Sequence, residues 1–257
     1  MKTLKKLLTV AIIIAGFSAS AQLTGRQIVD KAYNLPTGDD QTSQLTMTLV
    51  NKSGQTRVRK IQQFTKDFGT VEKSIMFFLS PADVKNTSFM NWSYDDENKA
   101  DDQWIYLPAL KKVKRISSDS KSDYFMGSDF TYDDLGDRKL DADTHKLLRE
   151  ENIEGKNCYV VESVSKDEDY MYSKTITWIR KDNFVGVKKE FYDEDGELLK
   201  TLHIKEVKKI SGFWIITHSE MENIQNNHKT VIQLSNIKIN SGVPASKFTE
   251  RMMMRGM

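Results

Sequence analysis

Among its 257 residues the chain has a single cysteine, four prolines and four histidines, and neither sign of charge is in marked excess. One cysteine excludes an internal disulfide, so stability must come from a packed core. Cys158 lies in the alternating run NCYVVES and reads as a buried, inert thiol rather than a nucleophile. His145, His203, His218 and His228 are widely spaced, with no HxH, HxxxH or HExxH pairing that would hold a metal. The acidic stretch DEDGE at 193–197 lacks the further ligands of a calcium loop and reads as a hairpin turn at Asp195-Gly196. There is no GxSxG, and no short motif pairs a serine or Cys158 with a histidine. Asp119, Asp123, Asp129, Asp133 and Asp134 supply carboxylates, but so many in one polar tract also describe a solvated loop. No catalytic residue, metal or cofactor is expected, and the chain does not read as an enzyme.

Long apolar runs are scarce too. The one clear case, residues 7–17, follows Lys2, Lys5 and Lys6 and precedes Ala19-Ser20-Ala21, the pattern of a secretory signal cleaved after Ala21. It is shorter than the roughly 20 residues of a membrane span. The expected organisation is a signal peptide at 1–21 and a single domain at 22–257, because Pro36, Pro81, Pro108 and Pro244 mark no Pro/Gly/Ser linker. Without the three signal lysines, the balance of 38 basic against 36 acidic residues becomes a net charge of −1. That excludes the basic field a nucleic-acid partner needs.

What the mature chain does have is alternation. Thr24 and Gln27 form a capping box ahead of a helical stripe of Ile28, Val29, Ala32 and Tyr33, closed by Pro36 and Gly38. From LTMTLV onward the period is two, in twelve strand candidates separated by short turns. Such a series predicts an antiparallel meander, since parallel pairing would need helical crossovers. Strands this numerous must curl into a barrel or half-barrel whose inner face has to be filled. The N-terminal helix is one filler. The second is the tract YLPALKKVKRISSDSKSDYFMGSDFTYDDL at 106–135, where Ser122 is expected to cap a short helix turning Phe125, Met126 and Phe130 inward.

That tract also carries a resemblance. YLPA at 106–109, KRI at 114–116, FMGSDF at 125–130 and YDDL at 132–135 resemble the signature of the LolA-like outer membrane lipoprotein-sorting family. EGKNCYVVES, KTITWIRKDNF and the ending VPASKFTERMM add weaker support. The resemblance implies a mainly β (α+β) fold: a curved, unclosed antiparallel β-barrel with an N-terminal helix and a short helical lid, enclosing a hydrophobic cavity. It also implies a periplasmic carrier of lipoprotein or lipid acyl chains, with an inner-membrane exporter and an outer-membrane acceptor as partners. A monomer is expected. The alternative is a lipid- or lipoprotein-sensing module of an envelope exporter or signalling system. The expected lining is Leu45, Met47, Leu49, Trp104, Tyr106, Phe125, Met126, Phe130, Trp178 and Trp214. Arg115 is expected near the lid, paired with Asp129 or Asp133 or meeting a head group, unless it is an ordinary solvated arginine. Truncating Phe125 and Phe130 is expected to weaken ligand retention more than folding.

Overall fold

The computed structural model describes residues 22–257, so the expected signal peptide lies outside the described residues. Helix α1 (Gly25–Tyr33) starts at the Thr24–Gln27 capping box. Strands β1 (Asp40–Val50), β2 (Thr56–Asp67), β3 (Val71–Ser80), β4 (Ser88–Tyr94), β5 (Asp102–Leu107) and β6 (Lys112–Arg115) follow. After a segment with no regular strand or α-helix come β7 (Asp143–Ile153), β8 (Lys156–Ser165), β9 (Lys174–Arg180) and β10 (Gly186–Tyr192). Then β11 (Leu198–Ile210), β12 (Phe213–Asn223), β13 (His228–Ile239) and the short helix α2 (Glu250–Arg255) complete the chain. All twelve strand candidates are strands. The KVKR stretch, a basic run with no apolar row, forms a thirteenth.

The strands form one antiparallel sheet in the order β6-β5-β4-β3-β2-β1-β13-β12-β11-β10-β9-β8-β7. Each half is a meander, and the halves meet where β1 pairs with β13. Accumulated right-handed twist curls a sheet of this width. Its edge strands β6 and β7 do not pair with each other, so the barrel stays open. Those two edges are consecutive in sequence, and residues 116–142 are the connection from one to the other.

Both faces of the sheet are covered. On the concave face α1 lies on β7 to β9, with Ile28 buried against Val161 and Ile179. The approach is close enough that a Cβ on Gly25 would meet the Leu147 nitrogen at 2.6 Å. On the convex face α2, capped by Thr249, buries Met253 among Phe64, Ile75, Phe77 and Met90. This convex core carries no helical signal long enough to have been read in the sequence.

Asp40 ties the C-terminal segment to the start of β1. Its buried carboxylate accepts the N–H groups of Ser241, Gly242 and Val243 at 2.8, 3.0 and 3.1 Å and the Ser241 hydroxyl at 3.1 Å. Burial alone would raise its pKa, but these donors outweigh burial and hold it below the ordinary value. Because the folded pKa is depressed, this carboxylate contributes stability above the unfolded value of about 3.9, lost as pH falls through the folded one. Asp40→Asn, which sets an amide against those donors, should cost about 2–4 kcal/mol at pH 7 and less near pH 3, below the unfolded carboxyl's value of about 3.9. Urea denaturation at the two pH values checks this; an equal cost at both would show that the charge is not what holds the segment.

Candidate functional site

The concave face of β1 to β4 and β13 is apolar because one parity of each strand is. Leu45, Met47 and Leu49 stand opposite Ile61, Arg59 and Arg57 of β2 on one side and Leu234, Ile232 and Thr230 of β13 on the other. Met76 and Phe78 of β3 and Phe89 of β4 continue the surface. Residues 116–142 cross directly over it. The Phe125 side chain is 0% exposed, with ring centroids 5.0 Å from Phe89 and 6.0 Å from Phe78. Met126, Tyr132 and Leu135 pack beside it. Phe130 enters a second cluster with Tyr172, Phe191 and Met221. The crossing segment therefore fills the space over these strands with its own side chains.

Its backbone is irregular, four single turns of 3₁₀ helix at Ser118–Ser120, Phe125–Gly127, Asp133–Leu135 and Leu140–Ala142. The short helix expected from a Ser122 cap does not form. Ser122 Oγ donates back to the Asp119 carbonyl, and Met126 has φ +50°. Serine and aspartate side chains compete with a helix for backbone partners in this way.

What holds the crossing segment is a set of polar pins from distant strands. Lys200 of β11 is fully buried, 2.6 Å from Asp134 Oδ2 and 3.0 Å from the Asp129 carbonyl. Asp134 also accepts the Thr131 N–H at 2.7 Å and the Tyr172 hydroxyl at 3.1 Å. Burial, followed by the charge of Asp134, keeps the Tyr172 phenol far above its usual range, so it remains a donor. On β13, Thr230 Oγ1 donates to Asp129 Oδ2 at 2.7 Å and accepts the Asp129 N–H at 2.9 Å, and His228 Nδ1 lies 2.8 Å from the same carboxylate. Gln103 of β5 donates to the Tyr132 carbonyl at 2.8 Å, and the Arg59 guanidinium of β2 donates to that of Met126.

Of the expected lining, the structure brings Leu45, Met47, Leu49, Phe125, Met126 and Phe130 to the concave side. Trp104, Tyr106, Trp178 and Trp214 are on the convex side. Trp104 pairs with Met90 and Tyr106 with Ser88, and both pack around the α2 core. Trp178 is buried with Cys158, Val160 and Val187, beneath Lys188 at 4.3 Å from its ring. Trp214 is 37% exposed. The apolar residues of QWIYLP occupy both parities because both faces are covered, so parity alone did not distinguish inside from outside. Arg115 is corrected as well: it is exposed and pairs with Asp102, two residues before its cross-strand partner Trp104 on the convex side, not with Asp129 or Asp133. Asp133 instead accepts the Tyr170 hydroxyl.

Among the pins, Lys200, Tyr172, Thr230, Gln103 and Arg59 drew no notice in the sequence. A signal for Lys200 exists: it breaks the inward parity of Lys200, Leu202 and Ile204. Arg59 gives none: that it is buried beside the exposed Val58 appears only in the structure. Two clefts flank the filled centre. One of about 930 Å³ is lined by Asp39, Asp67, Glu72, Asp95, Asp134 and Asp137 and no basic side chain. The other, of about 660 Å³, contains Arg57, Arg59 and His228 and no acidic one. Among the described residues no three His, Cys, Asp or Glu side chains come together as a metal site. Burial pushes the Cys158 thiol above its ordinary pKa.

A family model described as an uncharacterized protein matches residues 70–255. No curated protein matches the chain. A solved structure of a DUF1329 family protein from Desulfovibrio piger is 32% identical over 89% of this chain and 97% of its own, with a TM-score of 0.84. A putative outer membrane lipoprotein-sorting protein domain from Vibrio parahaemolyticus is 32% identical over 90% and 98%, also with a TM-score of 0.84. A LolA superfamily protein from Nitrosomonas europaea, 22% identical over 90% and 100%, shares the fold with a TM-score of 0.69.

Proposed function

The chain belongs to the LolA-like family of outer membrane lipoprotein-sorting proteins, and from that premise we propose that it is a non-enzymatic carrier of lipid or lipoprotein acyl chains. Its compartment is the periplasm, reached through the signal at 1–21. It takes its cargo from an exporter in the inner membrane, hands it to an acceptor at the outer membrane, and acts as a monomer. One observation carries the reading. The most apolar part of the concave face is covered not by another strand but by residues 116–142, which between 117 and 141 share no backbone–backbone hydrogen bond with the sheet and are held by side-chain pins.

A cover attached in this way can leave without breaking a strand ladder. The surface it vacates, from Leu45 to Phe89, suits an acyl chain, for which each buried CH₂ contributes about 0.8 kcal/mol. Phe125 occupies that surface and Phe130 the neighbouring one around Met221, which avoids exposing them to water. Cargo and crossing segment then compete for the same face, and binding shifts the population toward the open state.

Hydrogen exchange tests this. On adding a lipid that binds, peptides from 121–135 should lose protection, because the Phe125 N–H to Phe130 carbonyl and Tyr132 N–H to Asp123 carbonyl bonds belong to the closed form. Peptides from β1 and β13 should keep theirs. Lipid bound with the 121–135 peptides still protected would sink the displacement model. Absence of lipid from protein purified from its own host, together with no transfer between vesicles, would sink the carrier.

A further inference from the structure

The basic cleft at the β1–β2 hairpin end of the half-barrel has a specific chemistry. Arg57 and Arg59 alternate with Val58, so both guanidinium groups project from the concave parity of β2, about 7 Å apart along the strand. Arg59 is only 7% exposed, yet it forms no ion pair among the described residues, and its one hydrogen bond goes to the Met126 carbonyl. Burial lowers its pKa from the ordinary value, Asp83 opposes that without contacting it, and Arg57 adds to it. A buried guanidinium without a carboxylate is costly unless something else supplies the anion. Its other N–H groups are not among the buried unpartnered atoms; they open onto the cleft, where a ligand can reach them. His228 lines the same cleft and is oriented by Asp129 through its Nδ1.

The remaining walls point to what that partner carries. Leu49 and Met126 form an apolar floor continuous with the core around Phe125. Two forked cations and an imidazole suit a group with several acceptor oxygens and more than one negative charge better than they suit a single carboxylate. We propose that the cleft formed by Arg57, Arg59 and His228 binds a phosphate group, on an amphiphile whose apolar part continues past Leu49 onto the face that Met126 and Phe125 otherwise cover, or as free phosphate. The amphiphile form rests on the carrier reading, as its head-group site; the phosphate site itself does not.

Calorimetry with three probes tests the site: lysophosphatidic acid, a monoacylglycerol of the same chain, and inorganic phosphate. The phosphorylated amphiphile should bind at least roughly tenfold tighter than the neutral one. Arg57→Gln, at an exposed position, should cut that preference by about the same factor. Inorganic phosphate binding as tightly as the phosphorylated amphiphile supports the site and makes free phosphate its source, while weaker binding makes the lipid head group the source. Equal affinity for the two amphiphiles with no binding of phosphate overturns the site and leaves the carrier standing. Phosphate binding with neither amphiphile bound keeps the site and overturns the carrier.

Discussion

Lys200→Met should destabilise the protein by about 3–5 kcal/mol, the range for removing one partner of a buried ion pair. Both side chains are buried, Lys200 at 0% exposure and Asp134 at 6%. Removing the ammonium leaves the Asp134 carboxylate with the Thr131 N–H and the Tyr172 hydroxyl, and leaves the Asp129 carbonyl without its lysine donor. A total stability of about 5–15 kcal/mol makes such a loss severe. The double variant Lys200→Met with Asp134→Leu removes both charges and should recover most of it, because apolar replacement of a whole buried pair is commonly neutral or favourable. Urea denaturation of the single and double variants decides. A single-variant cost below about 1 kcal/mol, or no recovery in the double, would show that the pair does not pin the crossing segment.

The second large effect belongs to Phe125. Truncation to alanine leaves a void among Leu45, Met47, Phe78 and Phe89, at a cost of about 3–5 kcal/mol. The sequence reading put ligand retention first and folding second for this side chain. Its complete burial reverses the order. The loss falls on the closed state, in which Phe125 occupies the face proposed for cargo, so the variant should melt lower and yet bind lipid more tightly. Thermal unfolding and a fluorescent-lipid titration on the same preparation separate the two. Lower stability with unchanged or weaker lipid affinity would contradict competition between Phe125 and cargo.

Much of this architecture was legible along the chain. The capping box at Thr24 and Gln27 placed α1, and period-two alternation placed twelve of the thirteen strands, because both signals are local. In β1 the polar threonines on one parity made Leu45, Met47 and Leu49 recognisable as one buried row. The density of Phe, Met and Tyr in 124–132 showed that this polar tract must cover something. KVKR escaped because a four-residue strand with three basic side chains carries no apolar row. The α2 core escaped because a six-residue helix gives little periodicity to read.

Sequence alone therefore determined the strands, the helix that opens the domain, the family signature and the apolar character of the crossing segment. All of these depend on residues within a few positions of one another. Only the tertiary structure decided which face was inside. With apolar covers on both sides, Trp104 and Trp178 satisfy the same pattern outward that Leu45 and Met47 satisfy inward. The structure alone also joined Lys200 to Asp134 and Thr230 to Asp129, 66 and 101 residues apart. Those contacts follow from β1 pairing with β13 and from one connection running between the two open edges of the sheet, and strand order leaves no local trace in the residues it brings together.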